Sequence, residues 1–229
     1  MTSLTTLAAA IESAPELPSG GEERFTGFGV MGIPFTSGHV LALRRFTASS
    51  IGPAYTSVWH RDPAGRWTFW QDQTADQACS RYFGAAVTET RRCAIELDWS
   101  AETTLHVAVA ELDFAWTVTM LTSPVTRALN AVGSLLPDKA WRAEPVLAVM
   151  GLVAGTALRA GRVAMTGRTP NGQRFVANPS RIWLVADSSA RLGNDNFGPP
   201  GSLGEQAHLA DFWIPQRGMF AIGRTFFAA

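Results

Sequence analysis

The sequence predicts a mainly β fold of the α+β class: an antiparallel, barrel-like sheet with a helical insertion at about 123–160 and a short N-terminal helix. Three observations carry this expectation. Short runs rich in β-branched and aromatic residues recur along most of the chain, separated by Gly, Pro and Asn-Gly signals. The stretch from Ser123 to Gly161 breaks that texture with apolar residues at helical spacing. Finally, 229 residues at 46% hydrophobic can bury a sizeable core, which predicts one domain spanning 1–229.

Taken in order, Ser3 to Ser13 reads as a helix, with Leu4, Leu7, Ala8 and Ile11 on one stripe, and Pro15, Pro18, Gly20 and Gly21 stop it. Arg24 to Val30 and His39 to Phe46 read as strands. Neither face of the second is cleanly apolar, which suits a barrel whose interior holds a ligand better than one packed solid. Tyr55 to His60 and Arg66 to Trp70 form a hairpin around Asp62-Pro63-Ala64-Gly65, and alternation places Tyr55, Ser57 and Trp59 on one face. Ala94 to Trp99, Thr103 to Ala110 and Asp113 to Leu121 continue as a meander. Ser123 then caps a helix with Pro124 at its first turn, Pro137 ends it, and a second helix runs from near Pro145 to Gly161. This insertion is too short and too interrupted by Gly151 and Gly155 to span a membrane, and it is expected to plug or cover the sheet. Strands from Arg162 to Arg168, Gln173 to Ala177, Arg181 to Ala186, His208 to Ile214 and Met219 to Phe227 complete the chain, with a Gly/Pro-rich loop at Leu192 to Gly204.

Composition narrows the function classes. Nineteen basic residues balance nineteen acidic ones, so the total charge carries no footprint of nucleic-acid binding. The two cysteines, Cys79 and Cys93, lie in no metal or CxxC spacing and are expected to be free and buried. The first twenty residues lack the pattern of a secretory signal, which makes the cytoplasm the expected location. The four histidines, His39, His60, His106 and His208, share no ligand spacing, so no metal is expected, and no phosphate-binding glycine loop or nucleophile elbow occurs.

Ser50-Ile51-Gly52-Pro53-Ala54-Tyr55, the hairpin after it, Arg81-Tyr82-Phe83-Gly84 and the closing Leu209-Ala210-Asp211-Phe212-Trp213-Ile214-Pro215 together resemble the acetoacetate decarboxylase-like barrel family. That resemblance implies a β-barrel acting on a small carboxylate-bearing substrate. The chain departs from the family where the chemistry lies: Ser57 stands where the family has an acidic residue, and no paired lysine follows the Arg81 corner. Its single lysine, Lys139, falls in the helical insertion, so a lysine Schiff base is not expected.

These features predict an enzyme acting on a small hydrophobic carbonyl- or carboxylate-bearing molecule in an aromatic-lined cavity, without cofactor. In that reading Arg81 anchors the acidic end through paired hydrogen bonds, Tyr55 or His39 moves a proton, and Ser57, Trp59, Trp70 and Trp116 line the ligand space. The alternatives are a non-catalytic, lipocalin-like carrier of a similar ligand, and a protein that uses the apolar insertion as an interface with a partner or with a second copy of itself.

Overall fold

A computed structural model describes residues 3–137 and 139–228. The fold is mainly β, as the sequence predicts. After α1 (Leu4–Ser13) come β1 (Glu23–Pro34), β2 (Val40–Ser49), β3 (Tyr55–Arg61), β4 (Trp67–Gln71), α2 (Ser80–Phe83), β5 (Glu89–Arg92), β6 (Glu96–Ala101), β7 (Thr104–Val109) and β8 (Phe114–Leu121). The insertion supplies α3 (Pro124–Leu135) and α4 (Glu144–Ala157). The chain then forms β9 (Thr166–Arg168), β10 (Arg174–Leu192), β11 (Asp195–Asn196), β12 (His208–Leu209), β13 (Phe212–Trp213) and β14 (Met219–Ala228).

The main sheet runs β5-β4-β3-β2-β1-β14-β10-β8-β7-β6, with β9 and β11 paired to β10. All neighbours are antiparallel except β4 and β5. Its two ends, β5 and β6, are joined by only Cys93-Ala94-Ile95, so the sheet must curl to bring its edges near each other. Among the described residues no ladder pairs those edges, and the expected barrel is not closed. The curl depends on β10, whose nineteen residues pair first with β14 and then with β8, with register shifts at Pro179/Arg181 and Val185/Asp187. The sequence predicts a break between Ala177 and Arg181; the structure absorbs Pro179 into a continuous strand at the first of those bulges, where a missing N–H costs least. The predicted strand from His208 to Ile214 is instead the small hairpin of β12 and β13, turned at Ala210 with φ of 52°.

The curl buries one face of the sheet against itself. Leu41, Leu43, Val58 and Trp70 from its first half meet Leu105, Val107, Phe114, Trp116 and Val118 from its second, with α1 closing one side through Leu4 and Ala8. Trp70 and Phe114 touch edge to face at 4.7 Å between centroids. This interior is packed solid, which corrects the expectation of a ligand inside the barrel. The open space lies on the opposite, outer face of β1, β2, β3, β10 and β14, under the two helices. α3 starts with a reciprocal cap in which Ser123 and Thr126 each bond the other's backbone, and Asn130 exchanges two hydrogen bonds with the backbone of Ile182 to pin the helix to β10. α4 comes close to the chain after it because Gly151 and Gly155 have no side chains; a Cβ on either would meet a carbonyl oxygen at 2.3 Å.

Candidate functional site

Beneath α3 and α4 is a cavity of about 310 Å³. Small residues hollow out its floor: Gly27 of β1 pairs with Gly223 of β14, flanked by Ala177 and Ala221. Its walls are Met31, Phe46, Tyr55, Trp59, Phe83 and Phe227, with Phe212, Trp213 and Pro215 from the segment after β12, and its roof is Leu129, Val132, Trp141, Val149, Val153 and Leu158. The insertion does cover the sheet, as the sequence predicts.

Two arginines break into this apolar lining, the exposed Arg224 of β14 and the buried Arg44 of β2. Alternation along β2 puts Val40, Ala42, Arg44 and Phe46 on the cavity face, so Arg44 projects from the middle of a buried strand. Its guanidinium donates from Nη1 to the carbonyl oxygens of Val30 at 2.6 Å and Leu43 at 2.8 Å, and from Nη2 to that of Met31 at 3.3 Å. It stacks 4.7 Å from the Trp59 ring and 5.4 Å from the Phe212 ring. Among the described ion pairs, none uses Arg44. Burial pulls its pKa down to about 10, which leaves it charged at neutral pH. A buried cation held only by neutral carbonyls and ring faces retains unsatisfied attraction for an anion.

Tyr55 and Cys79 stand beside it, the phenol oxygen 3.6 Å from the thiol sulfur. Burial pushes the Tyr55 phenol well above its ordinary range, and burial also raises the Cys79 thiol. Both groups therefore stay neutral at ordinary pH. Tyr55 offers a hydrogen bond rather than a base, and Cys79 is an inert thiol rather than a nucleophile.

The structure separates the residues that the sequence groups together. Tyr55 and Trp59 line the cavity, and Ser57 lies behind Trp59, accepting the indole N–H at 3.1 Å. Trp70 and Trp116 belong to the solid interior on the other face, where Trp116 donates to Ser188. Arg81 is on the surface, with Nη2 2.6 Å from Glu23, so it does not reach the cavity. His39 is also on the wrong face for Tyr55: its Nδ1 lies 2.9 Å from Nε2 of His60 and its Nε2 3.1 Å from Asp195, with Phe197 stacked on its ring at 3.9 Å. Arg44 is the candidate that sequence reasoning missed. Its signal is one arginine on a strand face that is otherwise Val40, Ala42 and Phe46.

No metal-binding group of three or more His, Cys, Asp or Glu side chains occurs among the described residues. No family model matches the chain. No curated protein matches it either. Among solved structures, it is similar to an acetoacetate decarboxylase from Legionella pneumophila subsp. pneumophila str. Philadelphia 1 at 12% identity and a TM-score of 0.42, over 100% of this chain and 94% of that one. A likeness at that level assigns neither a site nor a reaction. Lys139, the single lysine, is exposed in the link between α3 and α4 and does not line the cavity.

Proposed function

We propose that this protein binds a small, largely apolar molecule bearing a carboxylate or carbonyl in the cavity beneath α3 and α4. The observation that carries this reading is Arg44, a buried cation without a carboxylate partner among the described residues, set in a cavity lined by aromatic and aliphatic side chains. The ligand's oxygen atoms would lie toward Arg44 and the Tyr55 hydroxyl, and its apolar body along Trp59, Phe83 and the helices. Burying that body supplies affinity at about 25 cal/mol per Å², and the charge-assisted bond supplies orientation.

A catalytic role is the second reading, favoured by the convergence of a cation and a neutral phenol on one spot. Such a pair can stabilise negative charge developing on a carbonyl oxygen. Against it stands the lining itself, in which no Asp, Glu, His or Lys is present among the described residues to act as a base near neutral pH. Carriage without turnover therefore fits the cavity better than the enzyme that the sequence leads one to expect.

Native mass spectrometry of the purified protein, compared with the same sample denatured, tests the reading by detecting a retained acid or ketone. Titration with medium-chain and aromatic carboxylates, followed by quenching of Trp59, Trp141 and Trp213, gives the affinity. A protein that carries nothing and shows no quenching with any of these acids or their ketone analogues does not have this function. Turnover of a bound ketone or acid by the wild type would restore the enzymatic reading.

A further inference from the structure

We propose that α3 and α4 form a docking surface for an anionic lipid bilayer. Among the described residues seven large hydrophobic side chains are exposed, and six of them lie on these two helices: Val125, Val132, Leu135, Val149, Leu152 and Val153. Leu135 is 84% exposed and Leu152 71%, a degree of exposure found for no other large apolar residue among those described. The solvent-facing side of α4 consists of Pro145, Ala148, Val149, Leu152, Val153, Thr156 and Ala157, and its one charge, Glu144 at the first residue of the helix, is paired with Arg174. A helix that covers a core in water ordinarily carries polar residues there. This arrangement instead matches an interfacial helix, whose apolar side enters the acyl boundary.

Charge points to the occupant. The stretch 123–162 contains five basic residues against two acidic ones, in a chain whose charges balance overall. The basic set is Arg127, Lys139, Arg142, Arg159 and Arg162, all exposed and concentrated near the ends of the two helices rather than on their apolar sides. Cations bordering an apolar face reach lipid phosphates while their stems lie along the interface. A second copy of the chain fits less well, because a twofold dimer through this face sets the same basic ends against themselves. The apolar surface also continues into the cavity, since Val132, Val149 and Val153 are both exposed and part of its lining. A bilayer laid on the helices would cover that opening with hydrocarbon. Transfer of an acid from bilayer to cavity rests on the binding reading above; the docking does not.

Co-sedimentation of the full chain with vesicles tests this. We expect the protein to pellet with phosphatidylcholine vesicles containing phosphatidylglycerol, much less with phosphatidylcholine alone, and progressively less as salt is raised. Leu135→Asp together with Leu152→Asp should abolish pelleting and leave the melting temperature and carboxylate quenching unchanged, because neither side chain is buried. Arg127→Gln with Lys139→Gln should weaken binding to the anionic vesicles about thirtyfold. Equal binding to neutral and anionic vesicles overturns the proposal, and so does failure to pellet with either. A dimer in sedimentation equilibrium that the two aspartates dissociate, without vesicle binding by the wild type, overturns it in favour of self-association. If vesicle binding persists while no carboxylate quenches fluorescence, the docking stands and the ligand reading fails.

Discussion

Arg44 and His60 show how two buried cationic residue types have opposite consequences. The Arg44 guanidinium is expensive to bury, but it satisfies three strand carbonyls. In Arg44→Met the relief of charge burial and the loss of those bonds oppose each other, so stability should change by less than about 2 kcal/mol in urea unfolding. Affinity for a hydrophobic carboxylate should fall tenfold or more, the loss of a charge-assisted hydrogen bond, whereas the matching alcohol should bind both proteins alike. Equal carboxylate affinity in calorimetry would remove Arg44 from the site. His60 titrates instead: burial, then the neighbouring His39, lowers its pKa to about 4 from an unfolded value near 6.5. The unfolded chain therefore binds the proton more readily. The contribution of His60 to stability is full above about pH 6.5 and is lost as pH falls toward 4. Comparing melting temperatures of wild type and His60→Phe between pH 7 and pH 4 isolates this group from the carboxylates, and the wild type should show the steeper fall. Parallel curves would mean that His60 charges as freely in the fold as outside it.

Whole elements show what a sequence can announce and what only packing decides. Both helices of the insertion are legible from Ser123, Pro124, Pro145 and the apolar spacing, because caps and periodicity are local. The common face of Tyr55 and Trp59 is legible too, because alternation follows from the backbone. Which side of the sheet holds the cavity is not legible, since that depends on where the insertion packs and on the inward curl that fills the other side with Trp70 and Trp116. β10 escapes for a related reason: Asn178-Pro179-Ser180 looks like a break until β14 and β8 are seen to share one strand across a bulge. The glycines of α4 reverse an ordinary expectation. Gly→Ala inside a helix normally gains about 1 kcal/mol. At Gly151 and Gly155 the new methyl would meet the carbonyls of Val163 and Gly161 at 2.3 Å, so each alanine should destabilise the fold. A raised melting temperature in either variant would show that α4 does not seat as closely as this.

Across the whole molecule, the cavity lies where three packed regions meet. Phe28 belongs to the solid interior, Tyr55, Trp59 and Phe227 to the aromatic layer outside it, and Trp141, Leu158 and Met219 to the cluster under the helices. The sheet is tied by continuous ladders through β1, β14 and β10. The cap is held by fewer bonds, among them the Asn130 pair to Ile182, and its outer face is exposed apolar surface. The cap should therefore open locally at a lower free energy than the sheet unfolds. Native-state hydrogen exchange is expected to show amides of α3 and α4 exchanging well before those of β1 and β14. A carboxylate bound between sheet and cap closes that gap, since it stabilises only states in which both walls are in place. At a hundred times its dissociation constant it adds about 2.7 kcal/mol, which slows exchange in α3 and α4 about a hundredfold wherever opening disrupts the cavity. Slowing confined to the sheet would place the ligand elsewhere. Slowing of the helices ahead of the strands is what a lid over an occupied cavity requires.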